Sequence, residues 1–196
     1  MKTLIAIPAL FQIYTATAQC IANIRLVGDC ETRFVIGLPV DRARNVLAEY
    51  ALRNNFDRIL WIDSDMTFAP DIMERLSKDL DEWDIVSGLY FKRKFPIEPV
   101  IYKTLTDEPK AEPYYDYPQD NVFQIAGCGF GGLMMKTEIL ADLKEPPFNQ
   151  FDGMSEDLSF CWRMKDKRIA CDSRVKLGHI GVSVYTEQLY EHPNGG

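Results

Sequence analysis

The run RILWIDSDMTF, residues 58 to 68, closes an apolar stretch on two carboxylates, Asp63 and Asp65. Side chains two apart on extended backbone point the same way, so this pair can converge on one ligand at a strand's end. Two ionised carboxylates so close repel, and burial adds a desolvation cost to each charge. A divalent cation removes the conflict. Carboxylates suit hard cations such as Mg2+ or Mn2+, above all where phosphate oxygens complete the coordination shell. The same letters also accommodate an Asx-type turn that leaves the strand with both acids solvated.

Other residues able to do chemistry are scattered along the chain. SEDLSF places Glu156 and Asp157 in the first turn of a helix, where the macrodipole favours acids in any protein. KLGHIG carries His179, one of two histidines, between glycines suited to close approach; a purely structural histidine is the other reading. DRARN sets Arg42 and Arg44 at a helix start, either as a solvated basic face or as a guanidinium fork for an anion. GCGFGG, residues 127 to 132, lacks the spacing of a dinucleotide fingerprint or a Walker loop and reads as a bend or close backbone approach. FKRKF, residues 91 to 95, reads as a solvated basic turn, with phosphate contact as the sharper alternative. LTDEPKAEPYYDYPQD holds three prolines and five acids and reads as a long solvated loop; a lid formed by Tyr114, Tyr115 and Tyr117 is the second reading.

The elements that must position these residues alternate. A strand is expected at Thr3 to Pro8, a helix at about 10 to 26, a strand at Arg33 to Gly37, and a helix from Arg42 to Asn54 with Val46, Leu47, Tyr50 and Ala51 on one face. Arg58 to Ile62 has no polar alternation, as in a parallel strand covered on both faces. A helix at 71 to 80 and a strand at Asp84 to Leu89 follow, then strand-like segments at Pro99 to Lys103 and Val122 to Ala126. Thr137 caps a short helix, and Ser155 caps one from Glu156 to Lys167 with Leu158, Cys161, Trp162 and Lys165 on a stripe. Alternation of this kind predicts an α/β fold with a mainly parallel sheet. Ligands bind such sheets at the carboxyl ends of the strands, where Asp63 and Asp65 fall.

The bulk properties narrow the function. A chain of 196 residues suits one domain with a sizeable core, and 46% apolar with 26% charged residues excludes a disordered chain. A net charge of −7 and a pI near 4.9 argue against nucleic acid as the main ligand, since phosphate neutralisation needs clustered Lys and Arg. Five cysteines without a C-x-x-C pair read as free thiols in a reducing, cytoplasmic compartment. MKTLIAIPALFQIYTATAQC has the outline of a secretory signal, but Pro8 and Gln12 interrupt its apolar stretch and a helical period crosses the supposed cleavage site, so strand-then-helix is the reading. No apolar run approaches the length of a membrane span.

In order, LIAIP, RARN, ILWIDSDMTF, GFGGLMMKTEIL and SEDLSFCWRMKDKRIACDSRVKLGHIG cover most of the chain, and the set resembles a small nucleotide-sugar glycosyltransferase of the GT-A fold, similar to glycosyltransferase family 2. The resemblance implies one Rossmann-like GT-A domain over 1–196, with a nucleotide-binding part at about 1–68, an acceptor-side part at about 84–181 and a long loop at about 105–120. It implies a mainly parallel mixed sheet flanked by helices. By the same resemblance Pro8 borders the nucleotide base, Arg44 approaches the nucleotide or diphosphate, and Asp63 with Ser64 faces the ribose or metal shell. Asp65 and His179, with Asp63, would hold Mn2+ or Mg2+ on the diphosphate; Gly131 and Gly132 would line the sugar and acceptor site; Asp157 would be the base, supported by Glu156. The implied partners are a nucleotide-sugar donor, UDP-linked by analogy, and a glycan or other hydroxyl acceptor, in an inverting reaction. Few residues follow Gly181, so a second copy or a partner is expected to complete the acceptor site.

Two other readings stand beside it. The D-x-D-x-T of WIDSDMTF also fits a haloacid dehalogenase-like phosphatase, with Asp63 as nucleophile, Asp65 as acid/base, Ser87, Lys92 or Lys94, and the acids at 156 and 157. That family carries the motif on its first strand, whereas here two strand-helix units precede it, and His179 and RARN would be idle. The third reading is a domain that binds nucleotide-sugars or glycans without turning them over.

Overall fold

Runs of apolar residues without alternation need cover on both faces, and the chain supplies it with helices on either side of one sheet. The computed structural model describes residues 1–106, 111–143, 145–150, 153–181 and 184–187. β1 (Lys2–Ala9) leads to α1 (Thr15–Ala22), β2 (Asp29–Ile36) to α2 (Val40–Arg53), and β3 (Arg58–Ile62) through a short β4 (Met66–Thr67) to α3 (Ile72–Asp79). Then come β5 (Ile85–Leu89), β6 (Ile101–Leu105), β7 (Ala111–Pro113), β8 (Val122–Gln124), β9 (Gly127–Cys128) and β10 (Gly132–Lys136). A 3-10 turn at Thr137–Asp142 precedes α4 (Glu156–Arg163), β11 (Ile169–Lys176), β12 (Gly178–Ile180) and β13 (Val184–Tyr185).

The main sheet runs β2-β1-β3-β10-β5-β11-β8. β1 is parallel to β2 and to β3, and β5 is parallel to β11. β10 enters antiparallel between β3 and β5, and β8 lies antiparallel on β11. Alternate residues of the central strands serve two cores. Leu4, Ala6, Ile59, Trp61, Leu133 and Met135 pack with Leu47, Ala48 and Ala51 of α2 and with Phe148 and Phe160. Ile5, Ile7, Leu60, Ile62, Val86 and Met134 pack with Ile72, Met73 and Leu76 of α3. All five cysteines are free thiols. No described helix is long and apolar enough to cross a membrane.

Several boundaries differ from the sequence expectations, each because a long-range bond wins over local pattern. The first helix covers only Thr15–Ala22: before it the Tyr14 N–H is drawn to the Ser64 carbonyl (3.0 Å), and after it the Arg25 N–H donates to the Pro70 carbonyl (2.8 Å). β2 starts at Asp29, four residues earlier than read, because it pairs with β1 from Lys2 onward. The last helix ends at Arg163 rather than Lys167, and Ser155 at its N-cap makes no capping bond. On α2 the buried face is Ala43, Arg44, Leu47, Ala48 and Ala51, while Val46 is exposed.

The acidic segment is more ordered than a solvated loop. β7 pairs with β6, Tyr117 is buried and stacks on Phe123, Tyr114 meets the same ring edge-on, and the Tyr115 hydroxyl donates to Glu98 (2.9 Å). These tyrosines anchor a hairpin to the core; residues 107–110 of the segment lie outside the described residues.

Asp79 ends α3, where the helix dipole disfavours an acid. Burial, first, and the neighbouring Asp172 push its carboxyl up to about 6, and Arg174 only partly opposes them. A carboxyl raised in the folded state makes the fold bind more protons, so its contribution to stability is full at acid pH and is lost as pH rises from about 4 through about 6. Asp79→Asn is therefore expected to flatten the dependence of the melting temperature on pH across that window, as read by thermal denaturation.

Candidate active site

At the carboxyl ends of the central strands lies a cleft of about 720 Å³. Pro8 and Ala9 reach it from the end of β1, Asp63 to Asp65 from the turn after β3, Glu156 and Asp157 from the start of α4, and His179 from β12. Lys92, Arg93 and Lys94 also border it, on the turn that follows β5.

Arg44 organises this floor. It stands on the buried face of α2 and is 2% exposed. Nη1 donates to Glu156 Oε1 (2.8 Å) and Nη2 to Asp63 Oδ1 (2.8 Å). The guanidinium lies 5.2 Å from the Phe130 ring centre and 6.0 Å from that of Phe148. Burial alone would lower its pKa, but the carboxylates of Asp63, Glu156 and Asp157 outweigh burial and raise it, so the group stays charged. Glu156 moves upward because burial outweighs the pull of Arg44. Next to it, Asn45 accepts from the Phe148 N–H (2.9 Å) and donates to the Phe148 carbonyl (2.8 Å). That reciprocal pair holds Phe148 against Phe160 of α4, their rings stacked at 5.0 Å. One helix turn of α2 thereby fixes the end of β3 and the start of α4 together.

Asp65 and His179 meet through a small sheet. β12 runs antiparallel to β4, pairing His179 with Met66, and the Ile180 N–H donates to the Asp65 carbonyl (2.8 Å). His179 Nδ1 lies 2.9 Å from the Phe91 carbonyl, which can only accept, so Nδ1 carries the proton. The other ring nitrogen, Nε2, lies 3.6 Å from Asp65 Oδ2. Tyr90 holds the ring edge-on at 5.6 Å. Arg93 Nη1 sits 2.8 Å from the same Asp65 oxygen. Burial would raise the Asp65 carboxyl, and His179 and Arg93 together bring it below the usual range.

The two acids of the D-x-D therefore part. Asp63 turns to Arg44 and Asp65 to Arg93 and His179, because β3 ends at Ile62 and the chain turns at Ser64 and Asp65 instead of staying extended. Among the described residues no group of three or more His, Cys, Asp and Glu side chains gathers to hold a metal. The pair Asp65 and His179 does fit one: a carboxylate oxygen and an imidazole nitrogen, ligand types that Mn2+ takes, lie 3.6 Å apart.

Pro8, Ser64 and Asp157 line the cleft. Asp157 Oδ1 accepts from the Leu158 N–H (2.8 Å) and from Ser155 Oγ. Arg44 borders the cleft but its Nη groups bind carboxylates, where a phosphate contact was expected. Gly131 and Gly132 do not line the cleft. A Cβ on Gly131 would sit 3.1 Å from Met66 Sδ and from Tyr90 Cζ, and one on Gly132 would overlap Leu177. Their smallness serves packing, and Gly131 positions neighbours, its carbonyl accepting from the Asp63 N–H (3.2 Å) and its N–H donating to the Tyr90 hydroxyl (3.2 Å). Arg93 was missed as a site residue; its only sequence signal was the basic cluster of FKRKF just after a strand's carboxyl end. Ser87, which the phosphatase reading needs in the cleft, is wholly buried and donates to the Gly88 carbonyl (2.7 Å).

No family model matches the sequence, and no curated protein matches it. Solved structures do match. The crystal structure of A197 from STIV has a TM-score of 0.71 at 20% identity, over 92% of this chain and 86% of that one. GalNAc-T7, crystallised with UDP, GalNAc and Mn2+, has a TM-score of 0.63 at 9% identity, over 92% of this chain and 43% of that one. S. aureus TarS 1-349 in complex with UDP has a TM-score of 0.55 at 15% identity, over 87% of this chain and 57% of that one. The chain has the GT-A fold: a large, mostly parallel mixed sheet flanked by helices.

Removing Arg44 strands two carboxylates in a nearly dry site. Arg44→Met is expected to lower stability by about 3–5 kcal/mol. The triple variant with Asp63→Asn and Glu156→Gln recovers much of that loss, because the stranded charges go with the cation. Urea unfolding of the three proteins measures both.

Proposed function

We propose that the chain transfers a sugar from a nucleoside diphosphate sugar, with UDP as the nucleotide, to a hydroxyl of a glycan or other acceptor, inverting the anomeric centre. The observation that carries this reading is the joining, in one cleft at the strand ends of a GT-A fold, of an Asp65–His179 pair suited to a cation and a half-buried carboxylate, Asp157, suited to a proton. UDP is favoured because two structures of similar fold were solved with it.

Asp157 acts as the base. Among the described residues its hydrogen bonds, from Leu158 N–H and Ser155 Oγ, both end on Oδ1, and Oδ2 is the oxygen that receives the acceptor proton. As that proton moves, the acceptor oxygen bonds to the anomeric carbon and the bond from that carbon to the diphosphate oxygen breaks. Inversion follows from attack in one step. Glu156 acts through Arg44, holding the start of α4 so that Asp157 keeps its place. Pro8 and Ser64 border the nucleoside, and Asp63, held by Arg44, faces the ribose. Asp65 and His179 would hold Mn2+ or Mg2+, which when bound supplies positive charge to the diphosphate as it leaves.

The test is a panel of nucleotide-sugars with Mn2+, followed by release of the nucleoside diphosphate. Release from a UDP-sugar is expected, and Asp157→Asn should lower its rate by about 10²–10⁴-fold with donor affinity retained. Retained configuration in the product, read by NMR, would remove the base role from Asp157. Hydrolysis of a generic phosphate ester instead would favour the phosphatase reading, and binding without turnover the non-catalytic one.

A further inference from the structure

Arg93 is a cation already paired with one of the proposed metal ligands. Its Nη1 is 2.8 Å from Asp65 Oδ2 and donates to the Ile180 carbonyl at 3.2 Å, one residue beyond His179. It contacts only one of the two candidate metal ligands that face each other there. His179 Nε2, whose orientation is fixed by the Phe91 carbonyl, remains 3.6 Å from Asp65 Oδ2. A divalent ion would take both as ligands, whereas the Arg93 contacts go to Oδ2 and the Ile180 carbonyl.

Arg93 is also built to leave. Its side chain is 44% exposed, against 2% for Arg44, and an ion pair so open to water is weak. It rides on the tip of a hairpin whose base is tied: the Val100 N–H donates to the Tyr90 carbonyl (2.9 Å), the Lys92 N–H to the Glu98 carbonyl (2.9 Å), and Phe91 bridges Pro99. Beyond that base, residues 93–96 are all exposed. Lys94 from the same tip lines the cleft beside it.

We propose that Arg93 is a resident counter-ion of the Asp65–His179 site, displaced from Asp65 when a divalent cation arrives with a nucleoside diphosphate, whose phosphate oxygens then take the freed guanidinium. The inference rests on the reading of Asp65 and His179 as metal ligands. It assigns two properties to the resting protein. Metal binds weakly without nucleotide, because it must compete with a tethered cation. Metal and nucleotide bind cooperatively, because the diphosphate offers Arg93 a new partner, and the guanidinium fork suits phosphate as well as carboxylate. By linkage each ligand then tightens the other by the same factor.

Mn2+ titration followed by electron paramagnetic resonance tests this without turnover. In the absence of nucleotide, Arg93→Ala is expected to bind Mn2+ about two- to fivefold more tightly than the wild type, the range an exposed ion pair supports. In the presence of Mn2+, the same variant is expected to bind UDP more weakly, and Arg93→Lys to restore part of that affinity. Equal or weaker Mn2+ binding by Arg93→Ala overturns the proposal, as does undiminished UDP affinity. Asp65→Asn separates the underlying reading: if wild-type Mn2+ binding survives that substitution, the metal assignment fails and the counter-ion role with it.

Discussion

A guanidinium in the interior of a protein is tolerable only if its charge is answered on the spot, and Arg44 is answered twice. Desolvating such an ion costs several kcal/mol, so Asp63 and Glu156 are conditions of the fold as much as features of the cleft. The constraint runs in both directions, since each acid would be an unpaired buried or half-buried charge without the arginine. Satisfying it ties α2 to the end of the next strand, β3, and to the start of α4, 112 positions beyond Arg44. The aromatic rings of Phe130 and Phe148 under the guanidinium supply the dry surroundings that make the pairs strong and their loss expensive.

The cleft sets two arginines of opposite character against its acids. Arg44 is buried, doubly paired and beyond the reach of solvent; Arg93 is half exposed, carried on a hairpin tip and singly paired to a carboxylate. The distances are the same, 2.8 Å in each case, so distance does not tell a permanent strut from an exchangeable partner. Burial does. Water screens and competes for Arg93 and has almost no access to Arg44. In a chain with a net charge of −7, Arg44, Lys92, Arg93 and Lys94 gather around this cleft.

The antiparallel strand β10 is the other device on which the site depends. It passes between β3 and β5, and the residues before it must cross over the ends of both strands at close range. Gly131 and Gly132 allow that approach, since a side chain at either would meet Met66, Tyr90 or Leu177. The gain is positional: the Gly131 peptide holds the Asp63 backbone on one side and the Tyr90 hydroxyl on the other, and Tyr90 in turn braces the His179 ring. Glycines that offer no chemistry of their own set the spacing of residues that do.

By itself the sequence determined the strands and helices that local pattern controls. The apolar run of β3, without polar alternation, read as a strand covered on both faces, and the placement of two acids at its end followed from the same reading. These features depend on neighbours two to four residues apart. What tertiary structure alone decided are the pairings. Arg44 reads in RARN as a solvated basic residue or as a fork for an anionic ligand, until Glu156, 112 positions later, joins Asp63 to bury its charge. Asp63 and Asp65 could converge on one ligand or leave the strand in a solvated turn; the turn at Ser64 sends them to different arginines. The acidic, proline-rich segment looked solvated until Tyr117 found Phe123. A charge or a ring has no preferred partner within its own few residues, so where it goes is decided by which distant element can desolvate it at the lowest cost.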